Sequence, residues 1–316
     1  MSAAATAAAA ALPRLAVTLG DVRGVGPELV AAALADPGIA RVASLAVVGP
    51  RNAGAGVVPD FAVGEWPGAS GTAAQAGRLA GLAVERAAQL AMDGSVQGIV
   101  TAPLDKAALA AGGWDYPGHT EMLAALTGRR VAMMLAATRA AAPGGNPLRV
   151  VLATTHIPLR SVPDAVTVEA IGAVADVTRR YLSEWLGILQ PRLALCGLNP
   201  HLGDGGRFGD EDQRVLAPAA RLYGLHGPFP ADTVFVRAMR GEFDAVVAPY
   251  HDVGMTAIKV ASFGGAVNVT LGLPFPRTSP DHGTAMDIAG QGVADPSSFL
   301  AAIRLCAEIA THASGR

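Results

Sequence analysis

At 316 residues, 51% hydrophobic and 16% charged, the chain has apolar material for two cores and lacks the polar excess of a disordered protein. A formal net charge of −2 supplies no field for nucleic acid or an anionic membrane, and no run reaches the ~18–20 apolar residues of a membrane span. Its two cysteines, Cys196 and Cys306, lie in apolar stretches and read as reduced thiols of a cytoplasmic protein.

Residues 1–12 are mostly alanine, with no basic residue ahead of the apolar run as a signal peptide would have, and read as a disordered tail. Short β-branched runs then alternate with Ala/Leu-rich helical stretches. The expected strands are Leu15–Leu19, Ser44–Val48, Gly98–Thr101, Arg149–Thr154, Arg192–Cys196, Ala245–Pro249 and Ala266–Leu271. The expected helices are Pro27–Ala35, Thr72–Met92, Thr120–Leu126, Val168–Leu186, Asp210–Tyr223 and Pro296–Ala313. That order predicts an α/β fold with a largely parallel sheet. Arg139–Pro147 is a loop by composition and is expected to join two strands.

Along the same path lie the residues with chemistry in them. Thr18–Leu29 (TLGDVRGVGPEL) is a strand–turn–helix, but Leu29 stands where a third glycine would complete GxGxxG, so an ordinary dinucleotide fingerprint is rejected there. In YPGHTEMLAAL, Thr120 is the expected N-cap and Glu121 suits the first helical turn; His119 and the free amides beside it could form an anion pocket. His156, His201 and His251 each follow the carboxyl end of an apolar strand, about 45–50 residues apart, which would deliver three imidazoles to the edge where α/β sheets bind ligands and metals. HLGDGGRFGDED, from His201, lacks EF-hand spacing and reads as a loop that places His201 and then caps a helix through Asp210. Among 24 basic residues only Lys106 and Lys259 are lysines, so each stands out as a position needing an ammonium rather than any cation. Lys259, after a β-like segment and near His251, is the one favoured for function.

These segments together resemble the 4-hydroxythreonine-4-phosphate dehydrogenase family, from Leu15 to about Phe299. The specific pieces are PGHTEMLA (Pro117–Ala124), ATTHIPLR (Ala153–Arg160), CGLNPHLGDGG (Cys196–Gly206), GPFPADTVF (Gly227–Phe235), YHDVGM with IKVASFG, and NVTLGLPFPRTSPDHGTAMDIAG (Asn268–Gly290). The resemblance implies the two-lobed isocitrate/isopropylmalate dehydrogenase-like fold, with an active-site cleft between the lobes and a homodimer that shares its active sites. The first lobe would comprise residues 13–103 and 262–316 and carry the cofactor. Residues 104–261 would form the lobe for metal, substrate and dimerisation.

The resemblance also implies roles. His156, His201 and His251 would ligate one divalent metal (zinc, cobalt or magnesium), with ligands drawn from both subunits. His119, Thr120, Lys259, Asn268 and Arg277 would hold a phosphorylated substrate. Asp281, His282, Gly283, Thr284, Ala285 and Asp287, in the stretch Asp281–Pro296, would hold NAD or NADP. Asp252 and Lys259 are the candidate proton acceptors. The implied reaction oxidises 4-phosphooxy-L-threonine to a 2-amino-3-oxo acid that decarboxylates to 3-amino-2-oxopropyl phosphate, toward pyridoxal phosphate. The alternative is oxidation of 4-phospho-D-threonate or erythronate. Two departures from the family's pattern bear on the pocket: Val22 and Arg23 replace Pro and Ala in GDPAGIGPE, and Val253 replaces Gln in HDQG.

Overall fold

The computed structural model describes residues 12–140, 144–262 and 265–314. The expected tail therefore lies, all but Leu12, outside the described residues, as does the middle of the 139–147 loop. In chain order the elements are β1 Arg14–Thr18, α1 Gly26–Ala35, α2 Pro37–Ala40, β2 Ser44–Arg51, β3 Phe61–Glu65, α3 Ala73–Met92, β4 Gly98–Thr101, α4 Lys106–Ala111, α5 His119–Thr127 and β5 Ala132–Ala137. They continue with β6 Arg149–Leu152, α6 Val162–Ala165, α7 Val168–Glu184, β7 Leu193–Cys196, α8 Ala217–Tyr223, β8 His226–Phe229, α9 Ala231–Met239, β9 Ala245–Ala248, α10 His251–Ser262, β10 Ala266–Leu271, β11 Arg277–Pro280 and α11 Ser297–Ser314.

One eleven-stranded sheet carries them, in the order β3-β2-β1-β4-β11-β10-β5-β6-β9-β7-β8. Its two flanks are parallel; the antiparallel pairings among the described residues are β11–β10, β10–β5 and β5–β6, all at the centre. The flanks consequently run in opposite directions. The carboxyl ends of β1, β4 and β11 lie at one edge of the sheet, and those of β6, β9 and β7 at the other.

The expected helices form within two or three residues of their predicted bounds, with one exception. Asp210–Tyr223 is divided: a wide π turn, Asp212–Leu216, precedes α8. The side chain of Asp210 does not cap it. Asp212, buried, turns back to accept the amides of Leu198 (2.8 Å) and Asn199 (2.9 Å), which ties the start of the following loop. Lys259 lies in α10, a helix rather than a strand: Gly254 and Ile258 are the buried face, and Gly254 has no room for a Cβ against Leu152 and Val150 of β6. Tertiary packing there overrides the β-branched local sequence.

The region after β4 is set by small residues. Gly77 and Gly81 on α3 let α4 and Trp114 press against that helix, and Met122 and Leu123 of α5 join the same apolar cluster as Ala16, Val48 and Ile99. Residues 106–127 thus pack with the first flank of the sheet.

Candidate active site

Mid-strand polar residues mark the site. Registers Asn268↔Ser279 and Asn268↔Leu135 put Asn268, Ser279 and, two residues earlier, Arg277 on one face of the central strands with Met133 and Leu135. These residues floor a cleft of about 270 Å³, room for a small metabolite. Its walls are Thr101 to Lys106 from the end of β4, Pro117 to Glu121 from the start of α5, His156 and His251 from the opposite edge, and Asp281 to Gly283 after β11.

Arg277 is 2% exposed. Its guanidinium donates to Thr270 Oγ1 (2.9 Å) and Thr101 Oγ1 (2.5 Å), and Nε has no partner. Burial pushes its pKa down to about 10, countered by Glu121, so it remains a cation at neutral pH. Asn268 Oδ1 and His119 Nε2 are also buried without partners. His119 is held well below the ordinary imidazole value, first by burial and then by the charges of Arg277 and Lys106. Three buried polar atoms without partners around one cleft are an expensive arrangement unless a ligand supplies the missing bonds.

His119 opens α5, and Gly118, not Thr120, is its N-cap; no side chain caps this end. The N-cap expectation for Thr120 is therefore corrected: it stands at the second helical position and lines the cleft. Uncapped N–H groups at a helix start suit an anion.

The histidine expectation divides. β6 and β9 are parallel neighbours with Leu152 opposite Ala248, so His156 and His251, four and three residues further on, meet with ring centroids 5.4 Å apart. His156 is pushed below the ordinary value by burial, then by Lys106 and His251, which leaves a neutral imidazole able to donate a lone pair. His251 Nδ1 is 2.7 Å from Asp252 Oδ1, an arrangement that leaves its Nε2 open. Asp252 itself does not line the cleft. His201 follows β7, the next strand along that edge, but its loop enters a left-handed turn (φ of 50° at His201, 58° at Leu202 and 43° at Asp204) that leaves His201 exposed and outside the cleft. Among the described residues no three His, Cys, Asp or Glu side chains are gathered as a metal site. One chain thus presents two nitrogen donors, a set that fits a divalent ion only with ligands from elsewhere.

Lys259 Nζ is 3.5 Å from Asp281 Oδ2, at the rim of the cleft rather than in its lining. Lys106, absent from the expected set, does line it. The scarcity of lysine pointed to both residues; what the sequence did not show is that α4 swings Lys106 beside the start of α5.

The segment after β11 docks on the first turn of the chain. Val25 N donates to Thr284 O (2.9 Å), and Gly24 has no space for a side chain beneath that carbonyl. The Glu28 carboxylate accepts the amides of Gly290 (3.2 Å) and Gly292 (2.9 Å). Thr284 and Ala285 are half-buried, and Asp287 is exposed. Of the departures noted above, Arg23 closes on the fully buried Asp21 through its backbone N (3.0 Å), Nε (3.0 Å) and Nη2 (2.7 Å). Val22 is buried, and Val253 packs into the core around α9 and α10; neither lines the cleft.

The model of the pyridoxal phosphate biosynthetic protein PdxA matches residues 40–306. A 4-hydroxythreonine-4-phosphate dehydrogenase of Beijerinckia indica is 42% identical over 90% of this chain and 91% of its own. A D-threonate 4-phosphate dehydrogenase of Salmonella typhimurium is 40% identical over 94% of this chain and 98% of its own. The crystal structure of a 4-hydroxythreonine-4-phosphate dehydrogenase from Klebsiella pneumoniae superposes with a TM-score of 0.80 at 38% identity, covering 94% of this chain and 99% of that one. No helix among the described residues is long and apolar enough to cross a membrane.

Proposed function

The chain belongs to the family of the pyridoxal phosphate biosynthetic protein PdxA, and from that premise we propose that it oxidises 4-phosphooxy-L-threonine with NAD or NADP, giving a 2-amino-3-oxo acid that loses CO2 to form 3-amino-2-oxopropyl phosphate. The observation that carries this reading is the set of unpartnered buried atoms around the cleft. Arg277 Nε, Asn268 Oδ1 and His119 Nε2 are buried and unpartnered, and a small ligand with both anionic and donor groups would complete all three.

In this reading the two lobes are residues 13–103 with 262–316 and residues 104–261, with α4 and α5 riding on the first. His156 and His251 would hold a divalent ion with a third ligand, His201, supplied by a second copy of the chain, which makes the working unit a homodimer. Neutral imidazole nitrogens suit zinc or cobalt, and magnesium less well. Such an ion would supply Lewis-acid chemistry that lowers the pKa of a coordinated substrate hydroxyl, and a nicotinamide would supply the hydride acceptor. Asp252 fixes the His251 tautomer that leaves Nε2 toward the cleft, a positioning role rather than that of proton acceptor. His119, Thr120 and the open amides of α5 receive the phosphate. Arg277, fixed by two threonines, orients the substrate from below, and Asn268 offers its carbonyl to a donor such as the amine. Lys259 reaches the substrate by leaving Asp281. The segment from Asp281 to Asp287, tied through Thr284 to Val25 just before α1, would hold the nicotinamide cofactor. The protein works in the cytoplasm, without nucleic acid or membrane as partner.

A second reading, oxidation of 4-phospho-D-threonate or erythronate, draws on the Salmonella typhimurium relative. The test is a panel of these phosphorylated hydroxy acids, each assayed for NADH or NADPH formation with and without added divalent metal. Turnover of 4-phosphooxy-L-threonine above the sugar acids, lost with a chelator and restored by zinc or cobalt, supports the first reading. Preference for the threonate selects the second.

A further inference from the structure

Lys106 has a place in the cleft that neither the family's motifs nor the reading above gives it. It opens α4, whose N-cap Asp105 spends a carboxylate oxygen on the amide of Ala108 (2.7 Å) and lies 3.9 Å from Arg23. From there the lysine side chain runs alongside the N-terminus of α5: a Cβ built on Gly118 would stand 3.8 Å from Lys106 Cε. Lys106, His119, His156 and His251 all line the one cleft. Lys106 therefore shares that cleft with both the pocket at the start of α5 and the histidine pair.

The charges around it decide its role. Of the other ionised groups at the cleft, Arg277 is offset by Glu121, and Lys259 by Asp281. His119 is neutral. Lys106 makes no ion pair among the described residues; the Glu121 carboxylate, whose Oε2 lies 3.5 Å from the same point on Gly118, is shared between it and Arg277, so Lys106, Arg277 and Lys259 set against Glu121 and Asp281 leave the cleft and its rim with one positive charge in excess. A phosphate monoester carries about −1.5 to −2 charges near neutral pH, more than uncapped helix amides and a neutral imidazole balance. We propose that Lys106 is the phosphate-specifying residue of this cleft, its ammonium binding the dianion held at the start of α5. This deepens the dehydrogenase reading and rests on it for the substrate, not for the site. Lysine suits the place because a compact ammonium on a flexible stem can follow a phosphate from the cleft wall, where a planar guanidinium needs a fixed fork.

The experiment titrates the full-length protein with inorganic phosphate by calorimetry, comparing wild type, Lys106→Met and Lys106→Arg, with acetate as the monovalent control. Lys106→Met is expected to weaken phosphate binding by about 10- to 100-fold, the range of a lost charged hydrogen bond. Acetate should weaken less, and Lys106→Arg should keep part of the phosphate affinity. With the preferred phosphorylated substrate, Lys106→Met should raise KM far more than it lowers kcat. Lys106 is exposed, so the variant's thermal melt should match wild type, which separates binding from folding. Phosphate affinity within twofold of wild type in Lys106→Met, equal losses for phosphate and acetate, or no phosphate binding by wild type would each overturn the proposal. If wild type oxidises none of the hydroxy acids yet Lys106→Met still loses phosphate, the dehydrogenase reading falls and the phosphate site stands. Turnover by wild type with unchanged phosphate affinity in the variant sinks Lys106 alone.

Discussion

Replacing Gly77 by alanine sets two effects of opposite sign against each other. Gly77 sits inside the 20-residue helix α3, where alanine is worth about 1 kcal/mol more than glycine from helix propensity. Against that, its Cβ would fall onto the carbonyl of Ala108 and stand 2.6 Å from Leu109 N, 0.8 Å inside the 3.4 Å at which ordinary contact begins. Both obstacles are backbone, so no rotamer change relieves them, and because the carbonyl is the nearer of the two, α4 must retreat by more than an ångström. Overpacking of this kind costs about 1–3 kcal/mol. The net effect is a loss of up to about 2 kcal/mol, or up to roughly 3 °C in Tm for a chain of this size. The functional effect should exceed the loss of stability, because α4 begins at Lys106 and a displacement of about 1 Å at a positioned group can cost up to 100-fold in rate. Differential scanning fluorimetry and steady-state kinetics on Gly77→Ala check both. A Tm at or above wild type with unchanged kcat/KM would mean that propensity alone operates and that α4 does not bear on Gly77 as described.

Other variants test the remaining links. His119 has a folded pKa below its unfolded value, so its contribution is present above about pH 6.5 and is lost as pH falls from there toward the folded pKa, at up to ~1.4 kcal/mol per pH unit. His119→Gln should therefore melt with a shallower decline between pH 7 and 5 than wild type; parallel curves refute the buried neutral imidazole. Asp212→Asn removes a charged acceptor from two loop amides and should cost about 2–3 kcal/mol, with faster proteolysis or hydrogen exchange across residues 197–209 than elsewhere; protection unchanged there would show that the loop is held by other means. Arg277→Met should leave the chain folded while abolishing measurable substrate binding, since the methionine fills the slot but leaves both threonines facing an apolar group; near-normal KM would remove Arg277 from the site.

How much of this could be read beforehand depended on whether a residue's partner was local. Helices with their own caps were legible: Thr72 and Gln75 close a capping box at the predicted start of α3. β11 was not, because Arg-Thr-Ser-Pro has no apolar signal; it is a buried strand only because Arg277 meets Thr270 and Thr101, 7 and 176 residues away. β5 escaped because Ala-Met-Met-Leu-Ala-Ala has weak β propensity and gains its strand from the edges of β6 and β10. For the site, the carboxyl-end rule brought His156 and His251 together but not His201, whose direction is set by a left-handed turn fixed through Asp212. Lys106 was visible as one of two lysines, yet its address depended on glycines in α3 that let α4 pack closely.

The position of the cleft follows from the sheet. Had both flanks run the same way, all carboxyl ends would share an edge and ligand groups would come from loops. Here the flanks oppose one another, so the loops after β4 and β11 approach from one edge and His156 and His251 from the other. A ligand able to touch both must lie across the face of β11, β10 and β5. That is why Arg277, at the start of β11, and Asn268, within β10, lie buried in the sheet, where polar side chains are costly. Each unpartnered atom they leave buried represents about 1–3 kcal/mol withheld from the empty fold. Binding restores it, so selectivity against a molecule that lacks a matching donor or acceptor arises from leaving that cost in place, and the floor of the cleft discriminates before any chemistry begins.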